Sequence, residues 1–448
     1  MHVLPRAAEL QRRFPGELVV IGVHSGKFVE ERRTENVRHA CARLGVRHPV
    51  VNDRHFRIWR SYAVNAWPTV VLVSPDGYVA GVQAGEFDVD AMAAAIDGLA
   101  ERYRREGLLK PGPPGFGPDP AAPPEPSGEL RYPTRAVARG DRLFVSDAGH
   151  HRVLELRIEA PSQASVVRAF GDGARGFRDG PASEARFGEP QGLAAGDGVL
   201  FVADRRNHAI RLISLADGGV TTIAGTGELG GYPVPEGPGR KSALRSPWGL
   251  ALSDRTLLVA MAGSHQIFGI DLAREHPLSL VAGSGAEDIT DGAARGATLA
   301  QTSGLATSAD LLFFADSESS SVRRVSLTAP MAVETIVGTG LFDFGDRDGA
   351  GDKVLLQHDL DLALIGERLL IADTYNSRLK LLDPSTRECN ALPGEAGSGE
   401  ALYEPGGVWA GPEGAFVADT NNHRVLRVDP LSGTLTPIEV TAPARSSA

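Results

Sequence analysis

Residues 416–425, FVADTNNHRV, decide the fold, because five variants of this stretch recur earlier in the chain. In each copy an apolar run of the kind that forms a buried β-strand ends at one position, Asp419 here, and a polar turn follows. The other copies begin at residues 144, 201, 258, 313 and 370, and they place Asp147, Asp204, Met261, Asp316 and Asp373 at that position. Self-similarity on this scale predicts a repeat architecture.

Two further positions repeat in register with the acidic one. Fourteen residues before it stand Pro133, Pro190, Pro247, Thr302, Asp359 and Pro405, and three residues before those stand Leu130, Phe187, Leu244, Leu299, Leu356 and Leu402. Each copy contains four short apolar segments, the last ending in sequences such as VTTIAGTG at 220–227. Four strands per unit and six units predict an all-β, six-bladed propeller over residues 130–440. Each blade is expected to be contiguous in sequence, so that closure needs no exchanged strand.

A first domain is predicted before the propeller, over residues 1–106. Its sequence indicates helices at 2–13, 30–44, 54–63 and 88–106, with strands at 18–23, 49–51, 69–74 and 78–83. This alternation is typical of a small α/β domain. Residues 107–129 contain PGPPGFGPDPAAPPEP and predict an extended linker, because proline supports neither helix nor central strand. Residues 441–448 are expected to form a disordered tail.

The composition excludes several classes of partner. The net charge of −10 argues against nucleic acid, since phosphate binding needs a basic surface. A run of about 18 apolar residues, as a membrane span needs, does not occur. The two cysteines, Cys41 and Cys389, fall in different predicted domains and form no disulfide framework, which favours a reducing compartment. We therefore expect a cytoplasmic protein, as a monomer.

Two motifs carry a resemblance to a known family. VADTNNHRV at 417–425 resembles the NHL repeat, and Trp67-Pro68-Thr69, ahead of a predicted hairpin, resembles the cis-proline loop of thioredoxin-like proteins. The order of the two parts is similar to that in the thioredoxin-like NHL-repeat-containing proteins. The resemblance implies a cis bond before Pro68 and a propeller that serves as an interaction platform.

The same resemblance implies that the α/β domain is incomplete at its N-terminus. In thioredoxin-like proteins the cis-proline loop faces a Cys-x-x-Cys motif at the start of the first core helix, which corresponds to residues 2–13. Neither the motif nor the strand that precedes it is present in the sequence. A sheet without its interior strand has unpaired backbone groups. We therefore expect Met1 to be an internal methionine of a longer product; a degenerate domain that packs on its neighbour is the alternative.

The repeated polar residues are predicted to be structural, because a residue needed once in every blade more often fixes a turn in every blade. They are Asp147, Asp204, Asp316, Asp373 and Asp419, together with His151, His208, His265 and His423 four residues further on. A ring of histidines around a metal is the alternative. Met261 and the 358–361 segment HDLD depart from the repeat and are interpreted as drift. The Asp-Gly pairs at 179, 291 and 348 are expected to be solvated turns, with calcium as the alternative.

The sequence gives no catalytic residue, no metal site and no cofactor motif. The glycines of GTGELG at 225–230 lack the strand-turn-helix context of a dinucleotide site, and both cysteines are expected to be buried structural thiols. The leading hypothesis is a propeller scaffold that binds a protein or small ligand on one face, with a thioredoxin-like domain that is redox-inactive in this sequence. The alternatives are a thiol-disulfide oxidoreductase whose Cys-x-x-Cys lies upstream, and a metal-dependent propeller hydrolase or lyase.

Overall fold

The structure, a computed structural model, describes residues 3–110, 112, 122–123, 127–393 and 400–442. The chain divides into two compact units, Met1–Pro124 and Glu125–Ala448. Much of the predicted linker, including all of 113–121, and residues 443–448 of the predicted tail lie outside the described residues.

The described residues of the first unit form four α-helices and four strands: α1 (Val3–Arg13), β1 (Gly22–His24), α2 (Thr34–Leu44), β2 (Val50–Asn52), α3 (Arg57–Ser61), β3 (Thr69–Val73), β4 (Val79–Ala84) and α4 (Val89–Arg105). Its sheet is in two parts, because β1 pairs with β2 in parallel and β3 pairs with β4 in an antiparallel hairpin, and the two pairs are not joined. The prediction of a strand at 18–23 is wrong in its bounds, because β1 begins at Gly22 and contains only the three residues that pair with β2.

The core of this unit lies between the helices and the hairpin. Leu10 and Phe14 of the α1 segment pack against Ile96 of α4. The side chain of Asp88 caps α4 by accepting a hydrogen bond from the Ala91 N–H at 2.8 Å. Apolar side chains on the strands remain exposed, among them Val23, Val73 and Val82, at 43%, 44% and 59% of their accessible surface.

The second unit is a six-bladed β-propeller, as predicted. Within each blade four main strands run as an antiparallel meander from the innermost strand outward, and the second of them ends in the repeated aspartate, or in Met261 in blade 3. Blades 1 and 2 comprise β5 (Pro133–Arg139), β6 (Arg142–Asp147), β7 (Arg152–Ala160) and β8 (Gln163–Phe170), then β9 (Pro190–Ala195), β10 (Val199–Asp204), β11 (Ala209–Ser214) and β12 (Val220–Ala224). Blades 3 and 4 comprise β13 (Gly237–Pro238), β14 (Pro247–Ser253), β15 (Thr256–Met261), β16 (Gln266–Asp271) and β17 (Pro277–Ala282), then β18 (Gly292–Ala293), β19 (Thr302–Ser308), β20 (Leu311–Asp316), β21 (Ser321–Ser326) and β22 (Ala332–Val337). Blades 5 and 6 comprise β23 (Gly349–Ala350), β24 (Asp361–Ile365), β25 (Arg368–Asp373), β26 (Arg378–Asp383) and β27 (Glu388–Ala391), then β28 (Gly407–Gly411), β29 (Gly414–Asp419), β30 (Arg424–Val428) and β31 (Leu435–Pro437).

Closure of the propeller uses one more strand. The last strand, β32 (Glu439–Thr441), pairs in parallel with β8 at the outer edge of blade 1, and the Glu439 N–H donates to the Ser162 carbonyl at 2.8 Å. In blades 3, 4 and 5 the outer edge is covered instead by a two-residue strand from the loop that enters the blade. The expectation that closure needs no exchanged strand is therefore wrong, although the four main strands of every blade are contiguous.

Apolar clusters between neighbouring blades form the core. The cluster between blades 4 and 5 includes Phe313, Val337, Leu356 and the buried thiol of Cys389. The repeated apolar residue before each blade is at most 7% exposed in all six copies. Around the propeller axis the first strands approach so closely that a Cβ on Gly249 would overlap the Ser303 carbonyl. Glycine there is therefore a packing requirement.

Candidate functional site

The five repeated aspartates occupy equivalent buried positions. Each is 0% exposed, and its Oδ1 accepts a hydrogen bond at 2.7 Å from a backbone N–H sixteen residues earlier. The contact ties the segment that enters a blade to the end of that blade's second strand. The donors to Asp147, Asp204, Asp316, Asp373 and Asp419 are the N–H groups of Arg131, Gly188, Ala300, Gln357 and Tyr403.

In four blades an arginine lies against the other carboxylate oxygen. Arg211 and Arg323, both 0% exposed, reach Asp204 and Asp316 at 2.7 and 2.9 Å. In blades 1 and 6 the arginine comes from two residues earlier in the third strand, and Arg152 and Arg424 each lie 2.8 Å from the aspartate. Pairing with an arginine offsets the unfavourable free energy of burying each carboxylate.

The Asp-Gly loops complete two of these networks. Asp179 binds Arg211 at 2.8 Å, and Asp291 binds Arg323 at 3.0 Å. Burial raises the pKa of Asp179, but the Thr222 hydrogen bonds and the Arg211 charge outweigh it and lower the pKa overall. These turns are partly solvated, with Asp179 and Asp291 at 36% and 44% side-chain exposure, and their carboxylates also bind buried guanidinium groups, a contact that was not predicted from the sequence.

Blade 5 has a lysine in place of the arginine. Lys380 Nζ lies 2.8 Å from Asp346 and 2.9 Å from Asp348, but 4.0 Å from Asp373. Lys380 is thus farther from Asp373 than the arginines are from their aspartates, and burial raises the pKa of Asp373 to about 7.

Blade 3 has lost both charges of the network. Met261 stands where the aspartate stands elsewhere, and Phe268 stands where Arg211 and Arg323 stand in their blades. Both side chains are 0% exposed and belong to one apolar cluster. The loop residue Glu236, which replaces the loop aspartate, pairs instead with Arg295 at 2.9 Å. The departure at Met261 is therefore a coordinated exchange of a buried ion pair for apolar packing.

The repeated histidines lie at contacts between neighbouring blades. In three of the four, Nδ1 accepts a hydrogen bond from a backbone N–H of the next blade. These bonds run from Ser246 to His208 at 3.1 Å, from Gln301 to His265 at 2.9 Å and from Tyr132 to His423 at 3.0 Å. In blades 4 and 5 the hydroxyl groups of Ser320 and Ser377 accept the equivalent bonds, at 3.1 and 3.2 Å. These contacts support a structural role for the histidines, which remains a proposal.

Two of the histidines illustrate the effect of burial. His151 Nδ1 accepts no hydrogen bond from any described residue. Burial lowers the pKa of His151, and it lowers that of His265 to about 4. The described residues contain no group of three or more His, Cys, Asp or Glu side chains placed to hold a metal ion.

A buried ion pair joins the innermost strands of blades 1 and 5. Arg135 of blade 1 and Asp361 of blade 5 replace the glycine found at this position in the other four blades, and they bind each other. Asp361 Oδ2 also accepts the Val408 N–H of blade 6 at 2.8 Å. Burial lowers the pKa of Arg135 to about 10. Sequence reasoning noticed Asp361 but missed Arg135; the signal was two opposite charges at a position otherwise reserved for glycine.

In the first unit the three predicted loop residues lie together. The Trp67–Pro68 bond is cis. The Trp67 indole N–H donates to the Ser25 carbonyl at 2.8 Å, and its ring lies 4.5 Å from that of Trp59. Thr69 Oγ1 donates to the Ala66 carbonyl at 2.7 Å. About half of Trp67 is exposed, so the loop presents an aromatic surface.

The two cysteines differ in their burial. Cys389 is buried in blade 5, and burial raises its pKa to about 12, whereas Cys41 in α2 is half-buried. The expectation of a buried structural thiol thus fits Cys389 better than Cys41.

Among the described helices, none has the length and apolar character needed to cross a membrane.

The described residues of the second unit form a six-bladed β-propeller, and the chain is similar in sequence to proteins named for the NHL repeat. The chain is 35% identical over 479 residues to NHL repeat-containing protein 2 of Gallus gallus and 34% identical over 475 residues to that of Homo sapiens; each alignment covers 96% of this chain and 64% of the relative. This chain is therefore a homologue of NHL repeat-containing protein 2, and it spans 64% of the length of these relatives.

A plant relative shares the same region. Protein SUPPRESSOR OF QUENCHING 1, chloroplastic, of Arabidopsis thaliana is 34% identical over 458 residues, covering 96% of this chain and 43% of that protein. Because this relative is named for the chloroplast, a cytoplasmic location stays a prediction. The chain matches no protein-family model.

Proposed function

We propose that the propeller is a scaffold that binds a protein partner through its exposed hairpin face. This face consists of the six turns between the first and second strands of the blades. The antiparallel order places these turns at the opposite end of the strands from the repeated aspartates. The turns are residues 139–142, 196–199, 253–256, 308–311, 365–368 and 411–414.

The variation among these turns carries the proposal. Their sequences are RGDR, GDGV, SDRT, SADL, IGER and GPEG, so charge and size differ from blade to blade above a uniform framework. Arg139, Arg255 and Arg368 are exposed. Repeat proteins recognise partners through surface positions that vary on a constant scaffold, and exposed charges of both signs favour a polar protein surface as the partner.

Charge reversal tests the proposal. Proteins cross-linked to the full chain are compared with those cross-linked to the triple variant Arg139→Glu, Arg255→Glu, Arg368→Glu. The control carries Arg178→Glu, Arg240→Glu, Arg295→Glu in the loops between blades, where all three side chains are also exposed. We expect the first variant to lose about tenfold in recovery of a specific partner, equivalent to about 1.4 kcal/mol, and the control to retain it. Equal recovery by both variants contradicts the proposal.

A second candidate function concerns the first unit. We also propose that it is a thioredoxin-like domain of a thiol-disulfide oxidoreductase, completed by a strand between β1 and β3. The division of its sheet into two pairs and the exposure of Val23 and Val73 on those strands support this, because an added strand would bond the unpaired edges. The reading frame before the codon for Met1 should then encode a Cys-x-x-Cys pair. A frame without one rules out this oxidoreductase and leaves the scaffold proposal intact.

A further inference from the structure

Asp359 is a buried acid in a position where the other blades have no charge. Four blades have proline there and blade 4 has Thr302, whose hydroxyl donates to the Gln266 carbonyl at 3.3 Å. Asp359 is 0% exposed, and neither of its carboxylate oxygens has a hydrogen-bond partner among the described residues. A buried carboxylate without donors is strongly unfavourable, and such a group is expected to take up a proton.

The charged groups near Asp359 also favour its protonated form. Asp373 at the end of β25 and Asp316 at the end of β20 are the two carboxylates that act on it, and both oppose its ionisation. The buried cations of blades 4 and 5 are paired with other carboxylates: Lys380 lies against Asp346 and Asp348, and Arg323 lies against Asp316 and Asp291. Burial, followed by the charge of Asp373, raises the pKa of Asp359 well above its ordinary value.

We propose that Asp359 is a neutral, protonated carboxylic acid in the closed propeller, and that its ionisation loosens blade 5 from blade 4. On ionisation the O–H bond breaks and the proton passes to solvent, which leaves a carboxylate that only water can stabilise. The Ser317 hydroxyl of blade 4 donates to the Asp359 carbonyl at 2.8 Å, so the residue lies at the junction of the two blades. The interface is thus a pH-sensitive element.

Cys389 provides a built-in reporter of this opening. It is 0% exposed within the apolar cluster between blades 4 and 5, and the only other cysteine of the chain is Cys41. In a full-length Cys41→Ser protein, reaction with a maleimide therefore measures how often the interface opens. The rate at each pH is divided by that of Cys389 in the urea-unfolded chain, which removes the intrinsic titration of the thiol.

The direction of the effect follows from proton linkage. The opened state releases the proton near pH 4, whereas the closed state keeps it to a higher pH, so opening becomes easier as pH rises between those limits. Relative to Asp359→Asn, which is permanently neutral, opening should increase about tenfold per pH unit until Asp359 itself titrates. Asp373 titrates in both proteins, so the comparison isolates Asp359.

The experiment measures labelling from pH 5 to pH 9 in the parent, Asp359→Asn, Asp359→Thr and the control Asp352→Asn, whose side chain is exposed in the same blade. We expect the parent and the control to open more readily as pH rises, and the two Asp359 variants to show a flatter profile. The infrared band of protonated carboxyl groups at pH 7 should be stronger in the parent than in Asp359→Asn, since Asp373 contributes to it in both proteins. This difference is a second readout that does not depend on opening. Parallel labelling profiles for all four proteins, or equal bands in the parent and Asp359→Asn, overturn the proposal.

Discussion

Loss of Arg323 should strongly destabilise the propeller. Its guanidinium group binds Asp316 at 2.9 Å, Asp291 at 3.0 Å and the carbonyl oxygens of Thr298 and Thr290 at 2.7 and 3.0 Å. Replacement by methionine fills a similar space but leaves the Asp316 carboxylate buried without its cation. Removing one partner of a buried ion pair costs about 3–5 kcal/mol, and we expect the free energy of unfolding to fall by that amount.

The double variant Asp316→Met, Arg323→Phe should be less damaging than the single one. It reproduces the pair found in blade 3, where Met261 and Phe268 pack together. The double variant still loses the hydrogen bond from the Ala300 N–H, a cost of about 1–3 kcal/mol. It should therefore unfold at a higher urea concentration than Arg323→Met, although it carries one more substitution.

Urea unfolding of the full chain, followed by tryptophan fluorescence, measures both effects. The pH dependence supplies a further check. Burial raises the pKa of Asp316 and Arg323 opposes that shift, so removal of Arg323 raises the pKa further. A raised pKa makes stability fall as pH increases above about 4, and the loss in Arg323→Met should be smaller at pH 5 than at pH 8. A single variant as stable as the double one, with a loss independent of pH, refutes the reasoning.

Three further predictions concern the blade contacts. His265→Ala should lower the free energy of unfolding by about 1–2 kcal/mol because the Gln301 N–H loses its acceptor. His265→Ser, which places a hydroxyl acceptor there as Ser320 does in blade 4, should lower the free energy of unfolding by less. Thermal unfolding measures both effects, with His55→Ala at an exposed site as the control. Gly249→Ala should cost about 3 kcal/mol because its Cβ overlaps the Ser303 carbonyl, whereas Gly231→Ala meets nothing within 4 Å; similar melting temperatures for the two contradict the packing account. Truncation after Ile438, which removes β32, should expose the edge of blade 1 and lower the melting temperature, whereas truncation after Ala442 should not. Equal melting temperatures for the two truncated proteins would show that β32 does not stabilise the propeller.

The blade pattern was predictable because it is local and repeated. The apolar residues before each blade and the aspartates at the strand ends recur in fixed register, and repetition fixes both the number of blades and the buried positions. Sequence could not show which groups an aspartate contacts. The N–H that bonds Asp204 belongs to Gly188, sixteen residues earlier, and the partner of its second oxygen is Arg211.

Contacts across the ring were beyond sequence reasoning. Arg135 and Asp361 are separated by 226 positions and meet only because the ring closes. The pairing of β32 with blade 1 has the same origin, since the three residues of β32 carry no pattern of their own. In the first unit, β1 is shorter than its apolar run implied, because pairing with β2 rather than hydrophobicity sets its length.

Hydrogen exchange tests the central claim, which is that the repeated carboxylates are structural elements that anchor the five blades in which they occur. The measurement follows five backbone N–H groups in the full chain, those of Arg131, Gly188, Ala300, Gln357 and Tyr403, each of which donates to a strand-end aspartate at 2.7 Å. The account predicts that all five exchange as slowly as the central strands of their blades, through cooperative unfolding of the propeller. Exchange of these groups at the rate of exposed loops, with the neighbouring strands still protected, would contradict it.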